Sequence, residues 1–182
     1  MEYEKTQLLI SEAERALELI GRAIQMAGYQ NIKTYDKYKK IDSSQKFIQV
    51  NKKAGYRDSD SLSVQHALSD DIDFDCIGNT LTKERTRKDL VYQGFVVERQ
   101  AGIAKGAKVN GGSLICQSLD RQGRLQNSTL MNGVNHLLIE ENHKPQGSSS
   151  KGQRVYKISL QMTDGALLQI DLERTFATRN LP

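Results

Sequence analysis

Tryptophan is absent from this 182-residue sequence, and cysteine and proline occur only twice each. With aromatic residues at 6% and apolar residues at 37%, below the usual range for globular domains, the core must be largely aliphatic and much of the chain must lie in loops. No stretch approaches the roughly 20 apolar residues that a membrane-spanning helix needs, and the opening Met-Glu-Tyr-Glu lacks the positive charge of a secretory leader. We therefore expect no membrane segment and a cytoplasmic location. Cys76 and Cys116 each adjoin an isoleucine in an apolar stretch, which leads us to expect reduced thiols serving as small hydrophobes.

Several catalytic signatures are also missing. There is no Gly-x-Ser-x-Gly nucleophile elbow and no dinucleotide fingerprint, and neither cysteine has a histidine close by in sequence. "GIAKGAK" has the composition of a phosphate loop but not its spacing, since no Gly-Lys-Ser or Gly-Lys-Thr opens a helix there.

What is present is an uneven charge distribution under a modest net charge of +4. From Asn31 to Arg57 the basic residues Lys33, Lys37, Lys39, Lys40, Lys46, Lys52, Lys53 and Arg57 face only Asp36 and Asp42. Between Asp58 and Asp75 the sign reverses, with six aspartates and no lysine or arginine. Positive charge then returns with Lys83, Arg85, Arg87, Lys88, Arg99, Lys105 and Lys108.

Hydrophobic periodicity predicts the elements. Leu9, Ala13, Ala16, Leu17, Ile20, Ala23, Ile24 and Ala27 recur at helical spacing and predict an amphipathic helix ending near Gly28, its apolar face widened by Leu8, Leu19 and Met26. Beyond it the pattern shortens. Two strands are expected around Asp42-Ser43-Ser44, anchored by Tyr35, Ile41, Phe47, Ile48 and Val50. A short helix is expected from Ser61, a strand in "DLVYQGFVVERQ", and a hairpin turning at Asp120-Arg121-Gln122-Gly123. In the last hairpin a three-residue Thr163-Asp164-Gly165 loop puts both apolar sets on one face by pairing Ile158 with Ile170 and Leu160 with Leu168. The sum is a single α+β domain over residues 1–182: a long N-terminal amphipathic helix on a mainly antiparallel sheet, one or two short helices, and flexible loops near 101–112 and 144–153.

Three clusters could carry chemistry. As a strand, "SDDIDFDCIGN" alternates Asp71, Asp73 and Asp75 with Ile72, Phe74 and Cys76, and carboxylates two apart on one face can gather magnesium or manganese. A calcium loop counted from Asp73 fails, because Ile77 stands where a ligand is required. "HLLIEENH" would bring His136, Glu140 and His143 together only as a helix, and as a strand it divides them. The basic segment "TLTKERTRKDL", read as a short helix with Asn79 or Thr80 as cap and Glu84 paired to Lys88, supplies Lys83, Arg85, Arg87 and Lys88. Lys105 and Lys108 in the glycine-rich loop extend this set into an anion-binding surface.

The sequence thus predicts a small non-enzymatic binding or regulatory protein, without a cofactor, that contacts nucleic acid or a nucleic-acid-handling protein complex through Lys83, Arg85, Arg87, Lys88, Lys105 and Lys108. The alternative is a metal-dependent nuclease or phosphodiesterase in which Asp73 and Asp75 hold magnesium or manganese.

Overall fold

The computed structural model describes residues 2–31, 33, 46–108, 111–142 and 153–181. Helix α1 spans Glu2–Met26, and every residue of the predicted stripe, Leu9 through Ala27, is buried. Two glycines shape its C-terminal half. Gly21 is buried against Phe176, whose ring occupies the space a Cβ would need, and Gly28 takes a left-handed φ of 77° that turns the chain away after the last helical turn. The amide of Gly28 then donates to the Gln65 carbonyl at 3.0 Å, tying the helix end to the sheet. Leu8 does not widen the buried face as expected: it is exposed, because the sheet covers the side of the helix occupied by Leu9 and Ala13.

Among the described residues seven antiparallel strands follow in simple meander order, each paired with its neighbours in sequence: β1 Ile48–Asn51, β2 Ser61–Ala67, β3 Leu90–Arg99, β4 Gly112–Leu119, β5 Leu125–Asn142, β6 Val155–Thr163 and β7 Gln169–Ala177. With long helix α1 and, among the described residues, the isolated 3-10 turns Tyr56–Asp58 and Lys83–Arg85, this is an α+β fold. Helix α1 lies against β7, β6 and β2, and the core forms between it and the inward side chains of the sheet, among them Leu62, Phe95, Leu114, Leu137, Ile158 and Leu160. No helix among the described residues is long and apolar enough to cross a membrane.

β5 outruns its partner β4, whose pairing stops at Gly112 opposite Val134, leaving a free edge at Leu137 and Ile139. The segment before β2 fills it. Ser59 Oγ accepts from the Leu137 amide, the Asp60 amide donates to the Leu137 carbonyl at 2.8 Å, and Asp60 Oδ2 accepts from the Ile139 amide at 2.8 Å. Lys52 Nζ completes the clamp with 2.6 Å contacts to Asp60 Oδ2 and the Ile139 carbonyl. Burial works against the charge on Asp60, yet the hydrogen bonds from Lys52, Ile139 and Lys53 outweigh it and hold the carboxyl below its ordinary pKa.

Several expectations change. Residues 61–67 form strand β2 and not a helix, since Leu62, Val64 and His66 alternate inward with period two. The β6–β7 register pairs Leu160 with Leu172 and Met162 with Ile170, four residues along β7 from the expected one. An even shift keeps the same faces, and Asp164 stabilises the longer loop by accepting from the amides of Ala166 and Leu168. Gly165 does take the left-handed conformation. The Asp120–Gly123 turn forms as expected, with Gly123 N donating to Asp120 O at 3.0 Å. Of the two strands expected around Asp42, the second is β1, and the first lies outside the described residues, as does most of the 144–153 loop.

Candidate functional site

The acidic stretch is an irregular loop and not a strand, with one isolated bridge between Phe74 and Thr80. Its polarity is inverted relative to the expectation. Asp75 is buried, and its carboxylate accepts from the amides of Ile77 at 3.0 Å and Asn79 at 2.8 Å and pairs with Arg85 Nη2 at 2.9 Å. Asp73 accepts from the amide and hydroxyl of Ser69 at 2.6 and 2.7 Å. Asp70 meets Lys33 Nζ at 2.7 Å, a hydrogen bond that lowers the pKa of the carboxyl and raises that of the lysine. With the aspartates so occupied, Ile72 and Phe74 point outward, 70% and 57% exposed.

These bonds leave little for a divalent cation. Both oxygens of Asp73 are engaged, and Asp75 is held against a guanidinium whose positive charge opposes a second cation. No group of three or more potential metal ligands converges among the described residues. His136 and Glu140 lie on strand β5, facing away from buried Leu137 and Ile139, and His143 falls outside the described residues. The bulge between Val134 and His136 explains why Val134 shares the buried face with Leu137 despite its odd spacing.

Cys76 and Cys116 are joined in a disulfide, with a Cα separation of 6.1 Å, which corrects the expectation of free thiols. The fold brings the acidic loop over the middle of β4, so two apolar positions 40 residues apart in sequence become neighbours.

The six predicted basic residues divide. The Lys83–Lys88 segment is not a helix: it makes one 3-10 turn at Lys83–Arg85, without a side-chain cap, and then reverses tightly through Lys88 and Asp89, both at positive φ. The expected helical pairing of Glu84 with Lys88 therefore has no helix to carry it. Arg85 points inward, donating to the carbonyls of Leu119 at 2.9 Å and Thr80 at 3.2 Å besides its bond to Asp75. Lys83, Arg87 and Lys88 remain exposed. Lys105 and Lys108 are exposed too, but they follow the far end of the ten-residue strand β3, roughly 30 Å away at the usual rise per residue.

Of Lys83, Arg87 and Lys88, it is Arg87 that meets the β4–β5 turn. Arg87 Nε donates to the Gly123 carbonyl at 2.6 Å, fastening the turn to the basic segment. Between them opens a polar cleft of about 500 Å³, lined by Asn79, Thr80, Thr82, Arg85, Asp120, Arg121, Gln122 and Gln126. Asp120, the one carboxylate among the described lining residues, is occupied by the amides of Arg124 and Gln122 and by Arg124 Nε, which together keep its pKa low. The Thr82 hydroxyl lowers the pKa of Glu84 at the rim, helped by Arg121 and Lys83. Arg121, Gln122 and Gln126 were not evident as site residues, because in the sequence they mark only a turn and a strand face. Their proximity to Arg85 is set by strand pairing some forty residues away.

A second cleft, of about 520 Å³, runs between α1 and the acidic loop, lined by Leu19, Arg22, Met26, Ile72, Asp73 and Phe74 among others, with His66 and Gln93 also contributing. His66 is buried, and that burial lowers its pKa. Its Nδ1 lies 2.8 Å from the Ala67 carbonyl and its Nε2 3.1 Å from the Gln93 amide, which suits a neutral ring donating from Nδ1. Set against known proteins, the chain matches no family model, no curated protein and no solved structure.

Proposed function

We propose that this is a small, non-enzymatic binding protein that contacts the phosphate backbone of nucleic acid at the sheet end where Lys83, Arg87, Lys88 and Arg121 stand. The observation that carries the reading is the Arg87 bond to Gly123, which holds cations from two separate turns beside one donor-rich cleft. Asparagine, threonine, glutamine and arginine side chains there can donate to phosphate oxygens, while Asp120 is already satisfied by its own turn. Among the described residues the cleft lining includes no aromatic side chain on which bases could stack, so backbone contact without sequence preference is favoured. Binding is favoured over catalysis because Asp73, Asp75 and His66 are each committed to internal partners. Arg85 serves the site by supporting its wall, and Lys105 and Lys108 lie outside it.

Fluorescence anisotropy with labelled single-stranded and duplex oligonucleotides at several salt concentrations tests the proposal. Contact through three or four cations predicts that log affinity falls with log salt with a slope of roughly −2 to −4. Absence of binding to every oligonucleotide at low salt refutes it.

A further inference from the structure

The cleft between α1 and the acidic loop, about 520 Å³, has the volume of a small-molecule site. Its floor is polar and fixed. His66 on β2 and Gln93 on β3 are 1% and 7% exposed, and their hydrogen bonds settle how each is arranged. His66 Nδ1 must donate to the Ala67 carbonyl, so Nε2 of the neutral ring accepts, and the group it accepts from is the Gln93 Nε2–H. Gln93 Oε1 is then left without a partner among the described residues. It is not sealed in the core, since no buried polar atom of Gln93 goes unsatisfied, and Gln93 lines the cleft. The cleft therefore offers a hydrogen-bond acceptor at its base. Its walls are apolar, Leu19 and Met26 on the helix side and Ile72 and Phe74 on the loop side. The Cys76 disulfide and the Asp75–Arg85 bond hold the loop wall in place, so a ligand entering the cleft has little to order. The charges around it are unequal. Asp73 is bound by Ser69, Asp75 by Arg85, and Arg22 pairs with Glu18. Arg179 lines the cleft with no ion-pair partner among the described residues, and both its neighbours are anchored: the Thr178 amide donates to Arg154 O at 2.9 Å, and Asn180 Nδ2 donates to Gln25 O at 2.8 Å.

We propose that this cleft binds a small organic carboxylate with a planar apolar body and a ring N–H. The ring lies between Leu19, Met26 and Phe74, the N–H donates to Gln93 Oε1, and the carboxylate meets the Arg179 guanidinium. Each part of the ligand answers a group that the fold leaves unpaired. A ligand without the N–H would take water from Gln93 Oε1 and give nothing back, and one without the carboxylate would gain nothing from Arg179.

The test titrates the full-length, isotope-labelled protein with indole-3-acetate and indole-3-propionate, whose carboxylates reach to different lengths, and follows amide and side-chain chemical shifts. Indole, tryptamine and 1-methylindole-3-acetate are the controls: the first lacks the charge, the second reverses it and the third blocks the N–H. The expected result is saturable perturbation of the Gln93 side-chain amide, Leu19, Met26 and residues 72–76 by at least one carboxylate, with a dissociation constant below roughly 1 mM. Each control should bind at least about fivefold more weakly. Arg179→Gln should weaken the carboxylates by about fivefold and leave indole unchanged. Arg179 is exposed, so circular dichroism should show unchanged folding. No saturable binding of either carboxylate overturns the proposal, as does a control that binds equally well or an affinity unchanged in Arg179→Gln. Shifts confined to Lys83, Arg87 and Arg121 overturn it too, because they place the anion on the basic surface and not in this cleft.

Discussion

The Arg85 guanidinium lies 2.9 Å from the Asp75 carboxylate, with 8% and 0% of the two side chains exposed. A charge that seemed available for a ligand, and another that seemed available for a metal, neutralise each other inside the protein. Removing one partner of such a pair strands the other without solvent. Asp75→Asn or Arg85→Met should therefore cost about 3–5 kcal/mol, measured by urea unfolding. A double variant should cost less than the two single changes combined, and additive losses would show that the pair is not coupled.

Asp60 sets a pH dependence of stability. Its folded-state pKa lies below the unfolded one, so its contribution is fully present above the unfolded value and is lost as pH falls through the folded value. Urea midpoints measured downward from pH 5 should decline in the wild type, and less steeply in Asp60→Asn. At neutral pH the asparagine variant should be less stable by about 2 kcal/mol, since charge-assisted hydrogen bonds at the β5 edge become neutral ones or are lost. Identical pH profiles for both proteins would remove Asp60 from the account.

The disulfide closes a loop of some 40 residues, and loop entropy alone attributes about 4 kcal/mol to it. Reduction, or a Cys76→Ser, Cys116→Ser double variant, should lower stability by an amount of that order. Hydrogen exchange should rise first at residues 70–80. Uniform acceleration across the whole sheet, with no local excess in the loop, would mean that the bond does not specifically hold this segment.

Gly21 gives a packing test. A methyl group there collides with the Phe176 ring, and overpacking of a fitted contact costs about 1–3 kcal/mol. Gly21→Ala should lower the thermal midpoint, and adding Phe176→Leu should recover part of the loss. No change on Gly21→Ala would show that helix α1 does not pack on β7 in this way.

The helix was legible because one period of 3.6 runs through eight apolar positions, all of which the sheet covers. The strands were legible where period two extends over several residues, as in β3 and β6. Ser61–Ala67 misled because serine, glutamine and alanine at its outward positions disguise the inward series Leu62, Val64 and His66. The last hairpin misled more subtly: face parity leaves every even shift of register open, and Asp164 decided the rest through its loop hydrogen bonds.

The site was harder to read because its parts meet only through long-range pairing. Counting charges along the chain gathered Lys83, Arg85, Arg87, Lys88, Lys105 and Lys108 into one set. Strand β3 separates the last two from the others, while Asp75 draws Arg85 inward. Arg121 joined the cleft because an antiparallel turn sits beside the basic segment, a neighbour relationship that local sequence does not carry.

The most direct test compares two charge reversals in the same anisotropy titration: Lys83→Glu with Arg87→Glu and Arg121→Glu, against Lys105→Glu with Lys108→Glu. The account predicts that the first set abolishes oligonucleotide binding and its salt dependence, while the second leaves affinity within about threefold of wild type. Equal loss from both sets, or loss from the second set alone, would contradict it.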